Sequence, residues 1–141
     1  ATKNRAYPGP PVNSLNKQKF PLRSPSMSLP TFDWVEHYPA AVSVCDTQGT
    51  IIAMNRLAAE MFAKYGGMQL IGTSLFACHP EPANVIIRQM LAEQRANTYF
   101  TEKKGERKLV HQTPWYNEGQ FAGLVETVIV LPQEMETKKR G

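Results

Sequence analysis

The adjacent pair Cys78 and His79, followed by Pro80, is the first place in this sequence where side chains could do chemistry. A thiol and an imidazole form a nucleophile–base pair only if the two side chains converge. Pro80 favours an extended backbone at His79, and neighbouring side chains of an extended backbone point to opposite sides. We therefore expect no such pair. Cys78 should pack inward, while His79 and the prolines set the start of the next helix.

A second group of polar residues lies on the last predicted strands. On strand 107–115, alternation places His111 and Trp115 on one face and Gln112 on the other. On the final strand, Glu126 interrupts an otherwise apolar alternation. A buried carboxylate must find a donor, because an unpaired charge is costly there, and His111, Gln112 or a bound ligand could supply it. Two interpretations stay open: Glu126 belongs to a binding site, or it lies on the outer sheet face or in a wet interface.

Charge is distributed unevenly along the 141 residues. Residues 1–32 carry five basic and no acidic side chains, whereas residues 33–132 carry eight basic and ten acidic ones. Segment 1–31 is also rich in proline, which predicts a disordered basic linker, and residues 133–141 should form a charged tail. A basic segment of this kind is more often a solvated linker than a nucleic-acid site, so we do not expect nucleic-acid binding.

The two cysteines, Cys45 and Cys78, form no CxxC pair. We therefore expect neither a disulfide framework nor a metal site. No apolar run approaches the ~18 residues of a membrane-spanning helix. Reduced thiols together with the lack of such a run predict a cytoplasmic protein.

The elements that must position these side chains follow from the apolar periodicity. Asn55 is placed to cap the first helix, and Pro82 suits the first turn of the second helix. The second helix should bury Ile86 with its apolar neighbours, and the turn before the first strand should bury Trp34. The predicted elements are strands 41–45 and 50–54, helices 56–65 and 82–95, and strands 97–102, 107–115 and 120–131.

This order of elements predicts an α+β domain, a five-stranded antiparallel sheet with helices packed on one face. The sequence also resembles the PAS sensory domains over residues 32–132. The resemblance rests on VSVCDTQGTIIAMNRLAAEMF at 42–62, LIGTSLFACHPEP at 70–82 and GLVETVIVLP at 123–132. The segments CHPEPA, QTPWY and FAGLVE resemble one compact single-domain PAS subgroup.

The resemblance implies a sensory or interaction domain of signal transduction without catalysis of its own. We expect it to bind a small molecule or a signalling protein, either between the sheet and helix 82–95 or on the exposed sheet face. Binding would pass on a conformational change or a change in oligomeric state, with a homodimer as one option. The candidate ligand-binding residues are Asn55, Cys78, His79, His111, Gln112, Trp115 and Glu126.

Three alternatives depend on particular residues. Some PAS domains bind haem through a histidine within the second helix, and the resemblance leaves His79 as a haem ligand, although residues 83–95 contain no histidine. Light-sensing relatives use an Asn-Cys-Arg-type motif after the central turn. Residues 75–79 lack its Asn and Arg, so a flavin is not expected. An enzyme that uses His111 and Glu126 as an acid–base pair is the third alternative.

Overall fold

The computed structural model describes residues 33–141. The predicted linker at 1–31 and Phe32 lie outside the described residues. The described elements are strands β1 (Ala41–Cys45) and β2 (Ile51–Met54), helices α1 (Arg56–Met61) and α2 (Glu81–Glu93), and strands β3 (Asn97–Lys103), β4 (Glu106–Asn117) and β5 (Gln120–Val130). None of the described helices is long and apolar enough to cross a membrane.

The five strands form one antiparallel sheet in the order β2-β1-β5-β4-β3. The last strand in the chain, β5, therefore lies in the middle, where it is hydrogen-bonded to both β1 and β4. Tight turns at Lys104–Gly105 and Glu118–Gly119 join the last three strands, and all four residues have the positive φ angles of type I′ hairpin turns. The predicted α+β architecture and the C-terminal meander are confirmed.

Both helices differ from their predicted bounds. Helix α1 is shorter than predicted, because the chain after Met61 tightens into a 3-10 turn at Ala63–Tyr65. Gly66 then adopts a φ of 123°, which glycine tolerates and other residues rarely do, so the 3-10 turn ends there. Two more 3-10 turns, at Gly67–Leu70 and Leu75–Ala77, lead to helix α2. Helix α2 starts one residue earlier and ends two residues earlier than predicted.

The hydrophobic core lies between helix α2 and the inner face of the sheet. Ile87 and Met90 of the helix belong to one buried cluster with Val110, Leu124 and Val128 of strands β4 and β5. The three strand residues share the inner face because Val110 is paired with Val128, and Leu124 lies four residues before Val128 on the same strand. Burial of this face holds the helix against the inner face of the sheet.

Two burial predictions are wrong. Ile86 is 43% exposed, and Asn84 is buried instead. The buried positions of helix α2 recur every three residues, so its inward stripe is narrow, and Ile86 lies about 100° around the helix from Ile87. Trp34 is 57% exposed, and its ring packs edge-on against Tyr38 with a centroid distance of 5.8 Å.

Candidate functional site

A cavity of about 290 Å³ lies between the inner face of the sheet, helix α2 and the 3-10 turns before that helix. Its volume is at the lower end of the range for small-molecule sites. The apolar part of its wall consists of Val44, Ile51, Met54, Phe62, Leu70, Leu75, Pro80, Ile87, Met90 and Leu124. The polar or titratable part consists of Ser43, Cys45, Tyr65, Cys78, His79, Gln112 and Glu126.

A second concave region of about 330 Å³ adjoins this cavity. The two share His79, Ile87, Gln112 and Glu126 as wall residues. The second region adds Tyr99 of strand β3, together with other residues of β3 and α2. Gln112 and Glu126 therefore lie where the two spaces meet, and a molecule in either one would contact them.

Four polar residues form a row across the inner face of the sheet, which we call the polar row: Asn97, Gln112, Glu126 and Ser43. Each lies directly opposite the next in the strand register, from β3 through β4 and β5 to β1. Asn97 Nδ2 donates to Gln112 Oε1 at 3.1 Å, and Gln112 Nε2 donates to Glu126 Oε2 at 2.8 Å. The first bond fixes the orientation of the Gln112 amide, so that its N–H group faces the carboxylate.

The carboxylate of Glu126 is only partly satisfied by the protein. Within residues 33–141, Glu126 takes part in no ion pair. Its side chain accepts one hydrogen bond, from Gln112 Nε2 to Oε2. Its charge acts on two neighbours. Burial raises the pKa of the Tyr99 phenol, and the negative charge of Glu126 raises it further. Burial also raises the pKa of the Cys45 thiol, with smaller contributions from Asp46 and Glu126.

This geometry excludes one placement of Glu126, while the binding-site and wet-interface interpretations stay predictions. Its side chain shares the inner face with the buried residues Leu124 and Val128, so the outer-face interpretation is wrong. Of the donors considered from the sequence, Gln112 is the one in contact with it.

His111 lies on the opposite face of the sheet. It pairs with Thr127, the neighbour of Glu126, and adjacent residues of a strand point to opposite faces. Its Nδ1 lies 2.7 Å from Thr98 Oγ1. His111 and Glu126 are therefore not an acid–base pair, and His111 does not line the cavity. The predicted acid–base pair is therefore wrong, while a ligand contact of His111 on the outer sheet face stays a prediction.

Trp115 ties strands together rather than lining the cavity. Its indole Nε1 donates to the Cys45 carbonyl oxygen at 3.0 Å, so the side chain reaches across β5 to β1. Its partner in the register, Gly123, has a φ of 137°, and a Cβ at that position would overlap the same carbonyl oxygen. The three strands therefore approach closely here only because residue 123 is glycine. The structure gives Trp115 a structural role, and the expected ligand contact of Trp115 stays a prediction.

Asn55 is also a structural residue. Its side chain is 2% exposed and makes four hydrogen bonds. Oδ1 accepts from Val42 N at 2.9 Å and from Ala58 N at 3.0 Å, and Nδ2 donates to Val35 O at 3.0 Å and to Ala40 O at 2.8 Å. The predicted helix cap is confirmed by the Ala58 bond. With all four bonds occupied, the amide has nothing left for a ligand, so the expected ligand contact of Asn55 is corrected.

Cys78 and His79 are closer together than the sequence predicts. Cys78 has φ −106° and ψ 1°, which is not extended backbone, and its Sγ lies 3.5 Å from His79 Nδ1. His79 Nδ1 also lies 2.7 Å from the Leu75 carbonyl oxygen. Because a carbonyl oxygen only accepts, Nδ1 carries the proton and cannot take one from the thiol. Burial raises the pKa of Cys78, which keeps the thiol protonated. The pair therefore lacks the geometry of a nucleophile and its base.

The residues that the sequence analysis missed are mainly polar partners from other strands. Ser43, Asn97 and Tyr99 each lie near Glu126 through register rather than through any local pattern. Asn97 had a usable signal, since the tight turn at Lys104–Gly105 places it opposite Gln112. Across residues 33–141, no group of three or more His, Cys, Asp or Glu side chains is placed to hold a metal ion.

Comparison with known proteins identifies the fold. The sequence model of a family described as the PAS fold matches residues 35–134. No curated protein sequence matches the chain significantly.

Solved structures share this fold at low sequence identity. The PAS domain of a protein from Colwellia psychrerythraea is 20% identical, with a TM-score of 0.52 over 71% of this chain and 92% of that chain. A sensory box sensor histidine kinase from Vibrio cholerae is 15% identical, with a TM-score of 0.52 over 70% of this chain and 87% of that chain. The Aer2 receptor from Vibrio cholerae, described as a dual PAS-heme oxygen sensor, is 12% identical, with a TM-score of 0.50 over 66% of this chain and 95% of that chain.

Proposed function

The chain belongs to the PAS family, and we propose that it is a sensory domain that binds a small molecule in the cavity beneath its sheet. The observation that carries this proposal is a mostly apolar cavity of about 290 Å³ into which the carboxylate of Glu126 projects. Small-molecule sites commonly combine an apolar wall with a few placed polar groups, which fix the orientation of the ligand. The polar row supplies such groups here.

The sensory part of the proposal is supported by what the similar structures are named. One is a sensor histidine kinase and another an oxygen sensor. By that likeness we assign this chain a role in signal transduction without catalysis of its own. The receiver of the signal would be a protein partner or a second copy of the chain. A cytoplasmic location stays a prediction.

Strand β5 is the element best placed to carry the signal. It holds Glu126 and is hydrogen-bonded to both β1 and β4, so a ligand that engages Glu126 acts on three adjacent strands. Beyond β5, the chain stays attached to the β3–β4 hairpin, because Leu131 N donates to Arg107 O at 2.9 Å and Gln133 Nε2 donates to Gly105 O at 3.1 Å. A ligand that favours one arrangement of β5 would shift the population of this C-terminal segment.

Native mass spectrometry of the purified protein, combined with its visible absorption spectrum, tests the proposal. We expect a small molecule to be retained. Ser43→Phe, which fills the cavity from β1, should release this molecule. Val42→Phe adds the same ring on the opposite face of the same strand and should leave the molecule bound. Equal retention by the two variants would contradict a site beneath the sheet.

A haem sensor that uses His79 is the second candidate. Its Nδ1–H group is held by the Leu75 carbonyl oxygen, which leaves Nε2 free, and ligating histidines are commonly oriented by such a bond. Against it, His79 is exposed at the mouth of the cavity, and helix α2 contains no histidine. Titration of the purified protein with hemin distinguishes this candidate from the first. A Soret band that disappears in His79→Ala would establish this candidate over the first, and we expect no such band.

A further inference from the structure

The acidic and basic side chains in the walls of the two cavities are unbalanced. Glu126 is the only carboxylate among their wall residues, and no Lys or Arg side chain lines either space within the described chain. His79, the one histidine among the wall residues, lies exposed at the mouth. An anionic ligand would therefore meet repulsion from Glu126 without a fixed cation to offset it.

The hydrogen-bonding groups of the polar row also favour a ligand that donates. Gln112 already donates to Glu126 and accepts from Asn97. The other carboxylate oxygen, Glu126 Oε1, accepts no hydrogen bond within residues 33–141. Ser43 lies directly opposite Glu126 on β1. A donor group placed between Ser43 and Glu126 would complete the row, and hydrogen bonds to a charged acceptor are the strong ones.

The rest of the cavity wall favours a ligand with an apolar body. Ile51, Met54, Leu75, Ile87 and Met90 surround the space in front of Glu126. Against such a wall, burial of the ligand's apolar surface stabilises the complex, whereas burial of further polar groups does not. A ligand that matches both parts has a compact hydrocarbon or aromatic body and one donating head.

We propose that the ligand of this domain is a small organic cation, an amine or amidine with an apolar body, whose charged head binds Glu126 beside Ser43. This inference rests on the proposed function, since it names the ligand class of the same cavity. The cation would neutralise the partly buried Glu126 carboxylate and supply the hydrogen bond that Oε1 lacks within residues 33–141.

Three probes of nearly equal size separate charge from shape: 2-phenylethylamine, 2-phenylethanol and phenylacetate. Binding is followed by the methyl NMR signals of Met54 and Met90, which line the cavity, with the exposed Met68 and Met135 as internal controls. The amine should shift the two cavity signals and bind at least about tenfold more tightly than the alcohol, as expected for a hydrogen bond to a charged acceptor. Phenylacetate should bind most weakly of the three.

Charge removal at Glu126 gives the matched test. Glu126→Gln keeps an oxygen that can accept from Gln112, so the variant should fold, and its affinity for the amine should fall to that for the alcohol. Glu102→Gln removes a charge from an exposed position on β3 and should bind the amine as the wild type does.

The outcomes separate the two proposals. If the alcohol or phenylacetate binds as tightly as the amine, or if Glu126→Gln retains the preference for the amine, the ligand class is wrong and the cavity stays a binding site. If none of the probes shifts Met54 or Met90, the ligand class is wrong, and the proposed function fails as well if native mass spectrometry finds no small molecule that Ser43→Phe releases.

Discussion

Replacing Glu126 by Leu should make the ligand-free domain more stable, because the carboxylate serves a binding site rather than the fold. Glu126 is partly buried, has no ion-pair partner in the described part of the chain, and receives one hydrogen bond, from Gln112. Removing a charge from water costs several kcal/mol when burial is complete, and one hydrogen bond to a charged group returns about 1.5–3 kcal/mol. The two effects nearly cancel at a partly buried site.

The remaining difference comes from apolar contact. A leucine at 126 would extend the inner apolar stripe that contains Leu124 and Val128, and its burial contributes about 1 kcal/mol at about 25 cal/mol per Å². The stranded Gln112 N–H group faces the cavity, where water can reach it. We therefore expect the free energy of unfolding to rise by about 1 kcal/mol, which corresponds to an increase of about 4–8 °C in Tm for a domain of this size. Glu126→Gln keeps the shape and should stay within about 0.5 kcal/mol of the wild type.

Thermal and urea unfolding of the ligand-free protein measure these changes. A double-mutant cycle with Gln112→Leu separates the hydrogen bond from the rest, because the double variant strands no donor. The reasoning is refuted if Glu126→Leu lowers Tm and the double variant restores it. That result would show that the carboxylate holds Gln112 and the sheet in place.

Three further predictions concern residues around the site. Gly123→Ala should lower the free energy of unfolding by roughly 2–4 kcal/mol, because its Cβ overlaps the Cys45 carbonyl oxygen; an unchanged urea midpoint would contradict the close approach of the strands. Asn55→Ala should cost about 2–4 kcal/mol by removing four hydrogen bonds, and Asn55→Asp, which keeps the two accepting bonds, should cost less; equal losses would show that the accepting bonds do not contribute. Iodoacetamide should alkylate Cys78 more slowly than a model thiol at neutral pH, because burial raises the pKa of its thiol above the ordinary 9.0 and lowers the thiolate fraction; faster labelling, located by peptide mapping, would speak against this.

The order of the elements, the hairpin turns and the resemblance to the family could be predicted from the sequence, because each depends on residues that are neighbours in the chain. Alternation over 41–45 predicts a strand whatever its partners are. Asn55 shows which contacts the local sequence predicts and which contacts only the fold creates. Its bond to Ala58 is local and was predictable as a helix cap, whereas its bonds to Val35 and Val42 join segments that only the fold brings together.

The contact between Cys78 and His79 depended on backbone angles that composition did not reveal. Pro80 restricts the residue before it, and His79 is that residue, but Cys78 lies one position further away. The chain at Cys78 closes the 3-10 turn Leu75–Ala77, with Cys78 N donating to Leu75 O at 3.3 Å. The side chains of Cys78 and His79 thereby turn towards the same carbonyl oxygen.

The identity of the partner of Glu126 was decided only by the tertiary structure. Counted back from the tight turn between β4 and β5, an unbroken register would place His111 opposite Glu126. The irregularity between Trp115 and Tyr116 shifts the pairing by one residue, so that Gln112 lies opposite Glu126 instead. Because a one-residue slip turns every side chain of a strand to the other face, this bulge places an amide in the cavity and the imidazole outside it. Apolar alternation marks which residues share a face of one strand, but the register between strands decides which faces meet.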